Sequence, residues 1–326
     1  MVPLIERYRD RLPVGPDDVV ITLGEGSTPL LPALRLGDRL GVQLWLKWEG
    51  ANPTGSFKDR GMTVAVSRAL AAGAEAVICA STGNTAAAAA AYGARAGLTA
   101  VVLQPRGAVA FGKLAQARAV GARVLEVRGS FDEALTAARA LAERGSHVLV
   151  NSLNPDRVQG QKTAAFEIVE ELGRTPDVLA LPYGGGGNTR AFALGFRELG
   201  QVPRFVSGAA ERRRETMASA IRIAEPAHRT DAEQAVVDSG GEVVSLADDA
   251  IVDAWRSLAR EEGLFCEPAS AAGLAAVVAR RPPRGSLVVC VVTGHGLKDP
   301  EAVDLIADAA VAVDADPDAI AEAARR

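Results

Sequence analysis

Aromatic residues are scarce in this 326-residue chain, where Phe, Trp and Tyr together make up 4%. Cysteine and histidine are rarer still: Cys79, Cys266 and Cys290, and His147, His228 and His295. The cysteines stand far apart with no CxxC spacing, which argues against a disulfide framework and a zinc site and fits a reducing compartment. So few histidines also argue against any other metal centre. A net charge of −4, with no Lys/Arg cluster interleaved with aromatics, offers nucleic acid no basic footprint. The first ten residues are charged and lack the apolar centre of a signal peptide. The run Thr85 to Leu103 is rich in alanine but broken by Gly93, Arg95 and Gly97. It splits into a helix and a strand, so no membrane span is expected. A cytoplasmic protein is the expectation.

What is present is an ordinary apolar fraction of 48% and a charged fraction of 23%. A chain of this length buries a substantial core, as two domains or one large α/β unit. Residues 20–34 read as an extended entry with a glycine-rich turn, and Gln43 to Glu49 alternates as a strand does. Short apolar runs at 75–80, 99–103, 122–127 and 147–150 are separated by helical stretches near 84–96, 110–120 and 131–144. Gly121 and Gly145 sit where helices should stop. The pattern restarts after Asn151: helix 156–172, strand 177–182, helix 188–199, strand 204–208. A polar, less periodic stretch, 209–242, should cross the surface. Strand 242–245, helices 248–261 and 269–280 and strand 286–292 follow, and the tail 301–326 reads as two short helices split near Pro317. Such βαβα order implies parallel sheets with helices on both faces.

Chemistry gathers at the junctions. Asn52-Pro53-Thr54-Gly55-Ser56-Phe57-Lys58-Asp59-Arg60-Gly61 puts Lys58 in the first turn of a helix that Ser56 can cap. A cation there opposes the helix dipole, and beside Arg60 its amine should lose its proton more readily, as carbonyl-trapping chemistry needs. The bland alternative is a solvated surface lysine. Pro182-Tyr183-Gly184-Gly185-Gly186-Gly187-Asn188 follows a strand and precedes a helix. Its backbone N–H groups can turn inward as an anion nest, and a phosphate is the natural guest. The alternative is a flexible turn. It is neither a P-loop nor a GxGxxG fingerprint.

Ser81-Thr82-Gly83-Asn84-Thr85 offers hydroxyls, an amide and free N–H groups to a carboxylate, or else simply caps a helix. In Asn151-Ser152-Leu153-Asn154-Pro155-Asp156-Arg157, Arg157 could hold a phosphate through its planar fork, or decorate an Asx turn. Thr293-Gly294-His295-Gly296-Leu297-Lys298-Asp299 puts a hydroxyl at the end of an apolar strand, where α/β folds place ligands. Glu267-Pro268-Ala269-Ser270 opens a helix in similar style. A lysine, a glycine nest, an Asn loop and a late Thr together suit pyridoxal 5′-phosphate. The lysine would take its aldehyde, the nest its phosphate and the Thr hydroxyl its ring nitrogen.

On these residues the chain resembles the fold-type-II pyridoxal-phosphate enzymes, and within them the threonine synthase family, over roughly residues 20–300. The matching stretches are Gly24 to Leu30, Asn52 to Met62, Ala80 to Thr85, Asn151 to Thr163, Glu262 to Ala272 and Thr293 to Pro300. The resemblance implies two three-layer α/β/α domains of the tryptophan synthase β-like type, with the cofactor in the cleft between them. Residues 1–56 and 150–326 would form the larger domain and 57–149 the smaller. It implies Lys58 as the Schiff-base lysine, with Phe57, Asn84, Gly184, Gly185, Gly186, Gly187, Asn188 and Thr293 around the cofactor. Ser81, Thr82, Thr85, Asn151, Ser152 and Arg157 become candidate substrate contacts. The implied reaction is O-phospho-L-homoserine and water to L-threonine and phosphate, in a homodimer. Where the family's glycine loop reads Gly-Asn-Ala-Gly-Asn, this chain has four glycines and then Asn188, and its 207–215 region is shorter. A threonine or serine dehydratase-like enzyme, a β/γ-replacing enzyme of secondary metabolism and a cofactor-binding regulatory protein are the rival readings.

Overall fold

The computed structural model of the chain describes residues 2–81, 83–107 and 114–325. Among the described residues there are ten strands: β1 (Leu30–Pro32), β2 (Gln43–Trp48), β3 (Ala76–Ala80), β4 (Thr99–Pro105), β5 (Arg123–Val127), β6 (His147–Leu149), β7 (Val178–Pro182), β8 (Arg204–Ala210), β9 (Glu242–Leu246) and β10 (Leu287–Val292). The first six helices are α1 (Leu4–Arg7), α2 (Leu34–Leu40), α3 (Lys58–Ala71), α4 (Asn84–Ala96), α5 (Ala115–Ala119) and α6 (Phe131–Ala142). The rest are α7 (Pro155–Leu172), α8 (Gly187–Glu198), α9 (Arg229–Asp238), α10 (Asp248–Glu262), α11 (Ala272–Arg280) and α12 (Pro317–Ala323).

The strands form two sheets. One runs β1-β2-β10-β7-β8-β9, parallel except for β1, and the other runs β5-β4-β3-β6, parallel throughout. Continuous apolar strands such as Leu287–Val292 bury both of their faces, as parallel sheets require. Along β10, Val288, Cys290 and Val292 pack toward α10 and α11, while Val289 and Val291 pack toward α7 and α8. In the smaller sheet Val77 and Cys79 face α3 and α4, and Ile78 and Ala80 face α6. Each sheet is therefore the middle of three layers, as expected.

Both sheets reverse strand order at one place. Between β7 and β10, and between β3 and β6, successive connections leave in opposite directions and open a crevice at the strand C-termini. The glycine loop and Thr293 follow β7 and β10; Ser81 and Asn84 follow β3, and Asn151 follows β6. Four of the six junctions picked out in the sequence thus stand at switch points.

Helices α3 and α7 bring these parts into contact. A Cβ on Gly160 would lie 1.9 Å from the Arg60 carbonyl oxygen, and one on Gly61 would lie 2.7 Å from that of Arg157. Only paired glycines allow the two backbones this close. Their crossing sets Lys58, two residues before Arg60, near Arg157.

Some elements differ from expectation. The 209–242 stretch contains α9, which buries little beyond Ala232, Ala235 and Val236, so small residues hide its periodicity. The tail has a 3-10 turn at Pro300–Leu305, and its helix starts at Pro317 rather than dividing there. Proline suits a first helical turn, and the Asp316 side chain caps it by accepting from the Ala319 N–H. Of the helix expected at 110–120, Ala115–Ala119 is described and 108–113 lies outside the described residues. Among the described residues no helix is long and apolar enough to cross a membrane.

Candidate active site

Lys58 is the first residue of α3 and is part-buried, its Nζ 4.0 Å from the centre of the Phe57 ring. Ser56 is not the cap itself; its Oγ only weakly accepts from the Lys58 N–H at 3.4 Å. The turn before it is pinned to the end of β10. Phe57 N–H donates to the Thr293 carbonyl (3.1 Å), and His295 N–H to that of Gly55 (2.9 Å). Asp59 accepts from the Thr54 N–H and hydroxyl, and Lys298 Nζ donates to the Thr54 carbonyl (2.8 Å). The lysine therefore rests on a braced loop.

Burial pushes the Lys58 amine down to about 7, the Arg157 guanidinium adds to the fall, and the Glu267 carboxylate opposes it. Arg60 plays no such part, contrary to its expected role. It is fully buried, with its guanidinium held by Glu49 (2.7 and 2.8 Å) and Glu167 (2.6 and 2.7 Å). Lys47 joins Glu167 at 3.0 Å. Burial alone would raise the Glu167 carboxyl, but Arg60 and then Lys47 hold it well below the usual carboxylate range. Arg60 is thus neutralised inside the protein, tying α3 to α7.

Arg157 is the arginine whose charge bears on Lys58. It is 1% exposed, and the one described hydrogen bond of its guanidinium runs from Nη1 to the Val150 carbonyl at 3.2 Å. Nε and Nη2 are buried with no hydrogen-bond partner, and burial lowers the guanidinium to about 10. A buried charge with two idle donors is costly unless an anion meets it.

Asn151 lies beside it, with its amide paired to both Ala80 N–H (2.9 Å) and Ala80 C=O (2.8 Å), so that it splices the end of β3 to the junction. Ser152 meets the glycine loop through His228, whose Nε2 lies 2.7 Å from the Ser152 carbonyl oxygen. His228 N–H in turn donates to the Gly185 carbonyl (3.0 Å). Ser81 Oγ accepts from the Gly83 N–H at 3.3 Å, and Asn84 and Thr85 open α4. Thr82 lies outside the described residues. The Asn84 amide donates to both oxygens of Glu267, at 3.0 and 3.1 Å. Thr293, 5% exposed, shares a hydrogen bond with Ser270 Oγ at 2.9 Å.

Residues 21–294 match the family described as "Pyridoxal-phosphate dependent enzyme". A threonine synthase of Synechocystis sp. is 52% identical over 319 residues, covering 91% of this chain and 84% of that one. A second, of Mycobacterium bovis, is 49% identical over 341 residues, covering 98% and 95%. This chain belongs to the threonine synthases, among the pyridoxal-phosphate dependent enzymes. Maize serine racemase, 22% identical, superposes with a TM-score of 0.74 over 85% of this chain and 90% of its own, a likeness of fold. Membership of the threonine synthases sets aside the dehydratase-like, replacing and non-enzymatic readings.

The residues present fit the cofactor of a threonine synthase. Among the described residues, the N–H groups of Gly184 to Asn188 donate to no backbone acceptor, and Asn188 Nδ2 is buried without a partner. Gly186 has φ +81°, and a Cβ there would lie 2.9 Å from the Ala232 Cβ and 3.0 Å from the His228 carbonyl oxygen. A Cβ at Gly185, where other threonine synthases were expected to carry an amide, would meet only the Ile223 Cδ1, at 3.5 Å. We expect Gly186→Ala to weaken cofactor affinity and to cost about 1–2 kcal/mol of stability from its left-handed backbone. Cofactor titration and chemical denaturation of the same variant measure the two effects.

Three site neighbours were not singled out as site residues from the sequence. Glu267 and Ser270 lay in a noticed stretch, but their partners, Asn84 and Thr293, are 183 and 23 residues away. His228 had no local signal at all.

Proposed function

We propose that this threonine synthase converts O-phospho-L-homoserine and water to L-threonine and phosphate, with Lys58 as its catalytic residue. The observation carrying the substrate is Arg157: a buried guanidinium with idle donors, electrostatically coupled to Lys58 and carried on α7 rather than in the glycine loop. One anion site suits the cofactor phosphate and the other a phosphorylated substrate. Sheet membership supports a division into 1–56 with 150–326 and 57–149, because β3 to β6 all fall in the latter. The reading includes a cytoplasmic homodimer.

Pyridoxal phosphate, held at Lys58 until the substrate amine displaces that lysine and leaves it free as a base, would supply an electron-accepting ring conjugated to the substrate amine. Gly184 to Gly187 and Asn188 would hold its phosphate with N–H donors, Phe57 would flank it, and Asn84 and Thr293 would meet its ring hydroxyl and ring nitrogen. Lys58, with its amine near neutrality, takes the proton from Cα, returns protons to the substrate carbons, and removes one at Cβ so that phosphate leaves Cγ. Arg157 and Ser152 neutralise the departing phosphate. Ser81, Thr82 and Thr85 meet the substrate carboxylate at the start of α4, and Asn151 holds that junction in register. Water then adds at Cβ.

A substrate panel tests this reading. The purified enzyme should turn over phosphohomoserine far faster than serine or threonine, followed as released phosphate or ammonia. Preference for an unphosphorylated amino acid would defeat it. Thr293 bears on the product. Its hydroxyl is neutral and bonded to Ser270, so it leaves the ring nitrogen less protonated than a carboxylate would. Thr293→Asp is expected to raise the share of turnover ending in ammonia and a 2-oxo acid, measured against threonine. Unchanged partitioning would remove Thr293 from the ring-nitrogen position.

A further inference from the structure

Glu267 is a buried acid that the reaction described above does not use. It is 4% exposed and precedes the 3-10 turn Pro268–Ala271. Its N–H donates to the Gly294 carbonyl at 3.0 Å, fixing it beneath the turn that carries Thr293. A Cβ on Gly294 would lie 2.4 Å from Glu267 Oε1, so a glycine there leaves the carboxylate its place. From this position, on the side of the larger sheet, it reaches the first residue of α4, on the side of the smaller.

A carboxylate only accepts hydrogen bonds, so its contact decides which end of the Asn84 amide turns toward it. Its two oxygens, 3.0 and 3.1 Å from Nδ2, subtend a much narrower angle there than the two N–H bonds diverge by. One N–H is therefore shared between them, and the other is left over. Burial raises the Glu267 carboxyl above its ordinary value, but the Asn84 bond, Lys298 and Lys58 all favour its charged form, with Asp299 opposing.

We propose that Glu267 is the positioning residue for Asn84: it clamps one N–H of the amide across the cleft and commits the other to the cofactor ring. This rests on the reading of Asn84 as a cofactor contact. The cofactor's seat is then set jointly by both sheets, and it is lost if either moves.

The test compares wild type, Glu267→Gln, Asn84→Ala and the double variant by affinity for pyridoxal phosphate and by the visible circular dichroism of the bound cofactor. Unfolding of the cofactor-free proteins serves as the control. Glu267→Gln, which keeps the shape but no longer dictates the amide's orientation, should weaken affinity about tenfold, the scale of one charge-assisted hydrogen bond. It should also alter the dichroic band while leaving the unfolding midpoint in place. In the Asn84→Ala background the same substitution should add nothing. Glu267→Asp, charged but one methylene short of Asn84, should reproduce the loss and decides the matter if the Gln variant does not fold. Unchanged affinity and dichroism in the Glu267 variants, or an equal loss without Asn84, would overturn the proposal alone. If Asn84→Ala binds the cofactor as wild type does, the reading of Asn84 fails and takes the proposal with it.

Discussion

Lys58→Ala is expected to lose turnover by about 10⁴-fold, the upper end of what one positioned acid–base group contributes. The protein should still bind pyridoxal phosphate, more weakly, because Gly184 to Asn188 offer their donors independently of the lysine. In the wild type, borohydride reduction followed by peptide mapping should place the pyridoxyl label on Lys58. The amine lies at about 7, held down by burial and by Arg157, so it is mostly neutral above that pH and mostly charged below it. Capture of the cofactor by the cofactor-free protein should therefore quicken through pH 7 and level off above it. A label on another lysine, or a capture rate still climbing toward the ordinary lysine value, would contradict the assignment.

Arg157→Ala should lose roughly 2–4 kcal/mol of transition-state stabilisation, about 30- to 1,000-fold in kcat/KM for phosphohomoserine. Cofactor affinity should hardly change, since the glycine loop serves the other phosphate. Arg157→Lys should recover only part of the loss, because an ammonium has no planar fork. A purely structural arginine would behave differently. The Arg157 guanidinium makes a single described hydrogen bond and pays a desolvation cost, so Arg157→Met should leave the unfolding midpoint of the cofactor-free protein unlowered. Catalysis that survives the substitution, or an equal fall in cofactor binding, would contradict the role.

The alternation of short apolar runs and glycine stops was enough to read parallel sheets with helices on both faces, because parallel strands announce themselves by being apolar on both faces; the switch points needed the strand order. Lys58, the glycine loop, Asn84 and Thr293 were legible for the same reason: each lies just after a strand or at the start of a helix. The partners of these residues were not. Arg60 looked like the neighbour that tunes Lys58, yet α7 supplies Glu167, 107 residues on, and removes its charge from the site. Arg157, 99 residues from Lys58 in sequence, takes that place because Gly61 and Gly160 let α3 and α7 cross closely. Helix α9 stayed hidden because alanines supply most of its buried face.

Turnover of phosphohomoserine in water enriched in oxygen-18 tests the central claim most directly. Elimination breaks the Cγ–O bond, so the released phosphate keeps all four of its original oxygens, and the water oxygen enters the β-hydroxyl of threonine. Mass spectrometry of both products should find one heavy oxygen in each threonine and none in the phosphate. Heavy oxygen in the phosphate, with homoserine in place of threonine, would mean that the P–O bond is cleaved and that the account is wrong.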